Sequence, residues 1–167
     1  GQYDEFVAYI NGLAAMMKDA DMSPMVFNDG IYYNRITTNA IDEDIMVAYW
    51  SSGWSGYNVA SASFLADQGF QMINTNGDYY WVLGKDAQCS AEKAAGFDAT
   101  AFMGSSTISD PAGAMFCIWC DVPGADTADS VVADTKDTLI AFGGALTGTT
   151  EDGGNESGIT DGNVTDE

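Results

Sequence analysis

Residues 45–50 read IMVAYW, an unbroken apolar run that ends on an aromatic residue, and residues 51–56 read SSGWSG. Six residues suit a strand and are too few for a helix. Ile45, Val47, Tyr49 and Trp50 are the β-branched and aromatic types that strands favour. The run does not alternate with polar residues, so neither face is expected to meet water. Strands buried on both faces belong to parallel sheets, where crossover helices cover the two sides. The Ser/Gly loop that follows ends the strand.

Working outward, the same unit recurs. Upstream, SPMVF (23–27) starts a short apolar strand at Pro24 and stops at the turn signal Asn28-Asp29-Gly30. Downstream, FQMIN (70–74) and GAMFCIW (113–119) read as two more strands. The spacing predicts a helix over 3–20, with Phe6, Ile10, Leu13 and Met17 as its apolar stripe. Asp4 and Glu5 in its first turn and Lys18 in its last suit the helix dipole. A short helix is expected over 59–68, ending at Gly69. Loop and short helices are expected through DYYWVLG (78–84) and SAEKAAGF (90–97). A last helix is expected over 127–146, with Val132, Leu139, Phe142 and Leu146 on one side. Buried strands with helices on most crossovers make a parallel α/β sheet.

In such sheets binding groups gather at the C-terminal strand ends. Here those ends read Asn28-Asp29, Trp50, Asn74 through Tyr80, and Trp119-Cys120-Asp121. Aromatic, amide and carboxylate groups recur at all of them. Sugars have apolar C–H faces and a rim of hydroxyls, and sites for them combine these groups. Trp50 and Trp119, at strand ends, read more readily as site than as core. Trp54 and Trp81 read equally well as either.

Composition bounds the chemistry. The 167 residues include 25 acidic and 5 basic side chains and no His, a net charge of -20. Phosphates would be repelled, so neither nucleic acid nor an anionic membrane is an expected partner. Without His, a Ser-His-Asp triad, a His-paired Cys and a His-rich zinc site are excluded within the chain. No metal and no cofactor is expected. Cys117 and Cys120 spell C-x-x-C, but they lie inside the apolar run AMFCIWC. Strand residues three apart point to opposite faces, so the pair reads as structural rather than redox-active. No apolar run is long enough to span a bilayer. The chain opens in mid-pattern at GQYDEF, as a piece of something longer would. Residues 1–146 are read as one domain part and 147–167, nearly devoid of apolar residues, as an acidic linker or tail.

Four segments carry a family resemblance: PMVFNDGIYYN, VAYWSSGWSGY, NTNGDYYWVLG and AMFCIWCDVPG, in this order. They resemble the last four strand–loop units of glycoside hydrolase family 20, the β-N-acetylhexosaminidases. The nearest subgroup is the Gram-positive cell-surface exo-N-acetylglucosaminidases and lacto-N-biosidases. The resemblance implies the C-terminal half, strands five to eight, of a (β/α)8 TIM-type barrel. It implies a retaining, substrate-assisted mechanism, in which the 2-acetamido oxygen attacks the anomeric carbon. By the same resemblance Tyr80 holds that oxygen, and Trp50 and Trp119 wall the sugar. By it Asp121 binds sugar hydroxyls; Asp29 and Asn76 are candidate sugar-binding residues on the strand-end chemistry alone. The implied partners are a glycan with terminal N-acetylhexosamine and the rest of the same barrel. The implied location is extracellular or attached to the cell wall of a Gram-positive bacterium.

Two positions depart from the common pattern. Asn28 stands where many members have Trp, and Val82 where many have Asp. The family's catalytic Asp-Glu pair, expected at the fourth strand end, has no match. Asp4-Glu5 sits in the first turn of a helix and reads as capping. A non-catalytic carbohydrate-binding module and a structural stalk domain are the other classes that the composition allows.

Overall fold

The computed structural model describes residues 1–33, 39–84 and 88–148. In chain order the elements are α1 (Gln2–Asp19), β1 (Met25–Phe27), β2 (Met46–Tyr49), α2 (Ala62–Asp67), β3 (Met72–Asn74), β4 (Trp81–Leu83), α3 (Ala91–Ala95), β5 (Ala101–Phe102), β6 (Ser106–Thr107), β7 (Gly113–Ala114), β8 (Ile118–Cys120) and α4 (Ala128–Thr147). Short 3₁₀ turns cover Asn28–Gly30 and Gly77–Tyr79. Of the tail expected over 147–167, Thr147 ends α4 and Gly148 caps it, and the rest lies outside the described residues. The chain divides into two compact units, residues 1–77 with 99–115, and residues 78–98 with 116 onward.

The first unit holds a four-stranded sheet in the order β1-β2-β3-β7, every pairing parallel. The register sets Val26 against Val47, Val47 against Met72 and Asn74 against Ala114. Val47, Ala48 and Tyr49 are buried, as the unbroken apolar run requires. Val47 and Tyr49 pack with Val7 and Ala14 of α1, Leu65 of α2, Met72 and Phe102 in one cluster. Burying side chains of this size stabilises by about 1.5–3 kcal/mol each. The expectation of an α/β fold built on a parallel sheet is therefore met. The hydroxyls of Ser61, Ser90 and Thr127 cap α2, α3 and α4 by accepting from the backbone N–H three residues on.

Several expectations are corrected. The buried residues of α1 are Val7 and Ala14, with Tyr3 and Ile10 packed beside them. Phe6 and Leu13, expected inside, are exposed with Tyr9 and Met16. The helix is apolar on two sides, and the pattern could not say which meets the sheet. Lys18 reaches past its own helix to Asp42 at 2.6 Å and Asp44 at 2.8 Å. These two carboxylates hold its ammonium above the usual lysine range, and the ammonium holds Asp42 below the usual carboxylate range.

In the second unit, WVL (81–83) is a strand rather than a loop. β4 pairs in parallel with β8, setting Trp81 against Ile118 and Leu83 against Cys120. The run read as one strand over 113–119 is two. The N–H of Met115 still donates to the Asn74 carbonyl at 3.0 Å, whereas the Cys117 carbonyl accepts from the Trp81 N–H at 3.0 Å. α4 packs on α3, with Phe142 against Phe97 at 4.5 Å and the Thr138 hydroxyl donating to the Cys89 carbonyl at 3.1 Å. Its inward face is Thr135, Thr138, Ala141 and Phe142, while Val132 and Leu146 are exposed. All three cysteines are free thiols. Among the described residues no helix is long and apolar enough to cross a membrane.

Candidate functional site

In the first unit the candidates Asp29, Trp50 and Asn76 follow the C-terminal ends of β1, β2 and β3. At the end of β1 the chain turns at once into a 3₁₀ turn, which carries Asn28 and Asp29. Trp50 follows β2 directly, and its indole Nε1 donates to Asp29 Oδ1 at 3.1 Å. The Tyr57 hydroxyl donates to the Asp29 main-chain carbonyl at 2.8 Å. Burial raises the Tyr57 phenol, with the Asp29 carboxylate adding in the same direction. Around Trp50 stands an aromatic group. Trp54 lies 5.9 Å from it and stacks on Tyr57 at 4.4 Å, and Tyr57 meets Tyr33 at 4.7 Å. Trp54 is 50% exposed, so it is surface rather than core.

At the end of β3, Asn74 is buried and structural. Its Nδ2 donates to the carbonyls of Ala99 and Ala101 at 3.0 and 2.9 Å, and its Oδ1 accepts from the Asn76 N–H at 3.1 Å. Asn76, the candidate, is half-buried one residue beyond Thr75. The Gly77 N–H donates to the Trp50 carbonyl at 2.8 Å, which ties this loop to the end of β2.

In the second unit Tyr80 immediately precedes β4, and its carbonyl accepts from the Cys89 N–H at 3.2 Å. Its neighbour Tyr79 is turned to the helical side, edge-on to Phe97 at 5.1 Å with the Lys93 ammonium over its ring. Trp81 is buried, so of the two tryptophans that could be core or site it is core. Trp119 pairs with Val82 across the parallel strands and is 39% exposed. Asp121 is exposed one residue beyond β8, its N–H donating to the Leu83 carbonyl at 3.2 Å. Burial raises the Cys117 thiol, and Cys120 is exposed. Among the described residues no three of His, Cys, Asp and Glu stand where they could hold a metal.

The sequence marks Asn28 as part of a turn signal, as a strand-end amide and as a departure from the family pattern, but not as a buried residue that bonds the next strand end. Its side chain is fully buried and bonded to the backbone of residues 50 and 51. An Asn that ends an apolar strand, just before an Asp, was the available signal.

The chain thus carries aromatic, amide and acid groups at the C-terminal strand ends of a parallel β/α scaffold. No protein-family model matches the chain. Among solved structures it is similar to the pneumococcal virulence factor StrH, in a structure concerned with N-glycan recognition and hydrolysis. The identity is 33% and the TM-score 0.74, over 84% of this chain and 36% of that one. A second structure, of the tandem GH20 catalytic modules in the pneumococcal exo-β-D-N-acetylglucosaminidase StrH, gives the same figures. Dispersin B shares the fold at TM-score 0.68 and 22% identity, over 85% of this chain and 48% of that one. The structural neighbours are thus the family 20 hexosaminidases that the four motifs resemble, and the α/β fold with a parallel sheet matches part of their barrel. The chain spans about a third of the length of the StrH chains.

Proposed function

We propose that this chain is the C-terminal part of the catalytic barrel of a GH20 exo-β-N-acetylhexosaminidase, which removes terminal β-linked N-acetylhexosamine from glycans. The observation that carries the reading is the 33% identity to a GH20 catalytic module over 84% of the chain. In this reading Trp50 and Trp119 wall the sugar, and Asp29, Asn76 and Asp121 accept or donate bonds to its hydroxyls. The substrate's acetamido oxygen attacks the anomeric carbon as the leaving oxygen departs. Tyr80 donates its hydroxyl hydrogen to that acetamido oxygen, orienting it and stabilising the charge that redistributes as the oxazolinium ring closes. The Asp-Glu pair that orients the acetamido group and protonates the leaving oxygen lies outside this chain, in the rest of the barrel, which is the chain's first partner. The acidic surface suits a neutral glycan and repels nucleic acid and anionic lipid. The setting is extracellular or cell-wall-attached in a Gram-positive bacterium.

The test is turnover of 4-nitrophenyl N-acetyl-β-glucosaminide by the polypeptide that joins this chain to the rest of its barrel. Release of nitrophenol with retention at the anomeric carbon is expected. The half-exposed Trp54 favours one other reading, a non-catalytic sugar-binding module. Saturable binding of the sugar with no turnover would select that module instead.

A further inference from the structure

Asn28 has no solvent exposure, and its carboxamide makes three bonds to a single turn. Nδ2 donates to the Ser51 carbonyl at 2.7 Å, and Oδ1 accepts from the N–H of Trp50 at 2.8 Å and of Ser51 at 3.4 Å. β1 and β2 pair from Met25 against Met46 to Phe27 against Ala48. The main-chain ladder stops there because residues 28–30 wind into a 3₁₀ turn. A carboxamide offers the same donor and acceptor as a peptide group. The Asn28 side chain thus supplies the next rung with atoms that the turned backbone no longer presents. The residue held by that rung is Trp50. The next residue, Asp29, accepts from the indole of the same Trp50 at 3.1 Å, and the Tyr57 hydroxyl braces the Asp29 carbonyl. Two consecutive residues therefore hold one tryptophan, one by its main chain and the other by its ring.

We infer that Asn28 is a positioning residue for Trp50, its buried side-chain rung fixing where the indole stands at the C-terminal end of β2. The inference rests on the proposed role of Trp50 as a wall of the sugar site, but its structural half does not depend on that role. A shorter or apolar side chain leaves the Trp50 N–H and the Ser51 carbonyl without this partner, and the turn must shift to find others.

The test is a cycle of Asn28→Ala and Trp50→Phe in the intact barrel, read by near-ultraviolet circular dichroism and by hydrolysis of 4-nitrophenyl N-acetyl-β-glucosaminide. Asn28→Ala should change the tryptophan bands when Trp50 is present and leave the spectrum unchanged in the Trp50→Phe background. It should lower kcat/KM about tenfold with Trp50 present and by less than about twofold without it, because residues acting through one another are not additive. If Asn28→Ala does not fold, Asn28→Gln keeps the donor and the acceptor on a side chain one methylene longer and should change the tryptophan bands with the same dependence on Trp50. Spectral and kinetic losses of equal size in both backgrounds would overturn the inference. A Trp50→Phe enzyme of full activity would remove the wall reading, and the spectra alone would then decide whether Asn28 positions the indole.

Discussion

Gly84 lies so close to Val122 that a Cβ on the glycine would stand 2.5 Å from the valine Cβ. The glycine also has φ +84. Just before it, the Leu83 carbonyl accepts from the N–H of Asp121 at 3.2 Å and of Val122 at 3.4 Å. The C-terminal ends of β4 and β8 are thus pinned where Asp121 leaves the pair. Gly84→Ala adds steric overlap of about 1–3 kcal/mol to a left-handed backbone penalty of about 1 kcal/mol. Tm should fall by roughly 5–10 °C in a thermal melt. A variant melting within about 2 °C of the parent would show that the two strand ends separate freely.

The second prediction concerns two adjacent tyrosines. Tyr80→Phe in the intact barrel should lower kcat by about 10²–10³-fold with a smaller change in KM, as removal of one preorganised donor does. Tyr79→Phe should be nearly silent in steady-state kinetics, since the Tyr79 ring is packed on Phe97 and phenylalanine keeps that packing. Equal, mild effects from both substitutions would place the acetamido contact elsewhere.

The isolated chain should associate with itself and show no hydrolysis of an aryl N-acetylglucosaminide. Phe6, Tyr9, Leu13 and Met16 make an exposed apolar row along α1, with Tyr9 63% and Met16 69% exposed. Among the described residues β1 and β7, the outer strands of the four-stranded sheet, each pair with a neighbour on one side only. Open edges and apolar rows of this kind recruit other chains. Sedimentation velocity on the 167-residue chain checks this. A monodisperse monomer would count against the half-barrel. In the proposed reading the acid lies in the rest of the barrel, and losing its proton transfer removes about 10²–10⁴-fold of rate.

The Thr75 hydroxyl is buried at the end of β3 with no hydrogen-bond partner among the described residues. Valine has nearly the same shape and removes the unpaired group. Thr75→Val should raise stability by about 1 kcal/mol in denaturant unfolding of the intact barrel. Thr75→Ala removes a buried methyl as well and should lower it. A destabilised Thr75→Val would mean that the hydroxyl does bond, to a buried water or to a group from the rest of the barrel.

Much of the scaffold was legible in advance. Within the run over 45–50, residues 46–49 became β2, with Val47, Ala48 and Tyr49 buried, and the strands around it pair in parallel as expected. Three features were not. In α1 the apolar residues lie on two sides, so Val7 and Ala14 could take the core while Phe6 and Leu13 stayed outside. WVL is three residues long within an aromatic stretch, too short for any period to declare it a strand. The run over 113–119 is continuous in hydropathy, yet it changes ladder partner between Met115 and Cys117.

Hydropathy and residue type alone determined that 45–50 is a doubly covered strand, because no position with a wet face tolerates six apolar residues in a row. They also placed aromatic, amide and acid groups at the strand ends, and the net charge of -20 gave the expectation that phosphate-bearing partners are repelled. Tertiary structure decided which side of α1 is covered, where β7 gives way to β8, and that Asn28 continues a ladder with its side chain. Each of these depends on which donors and acceptors the chain brings from some 20 or more residues away, such as Ser51 to Asn28. Such encounters leave no mark on local periodicity, since a buried amide and an exposed one are spelled alike.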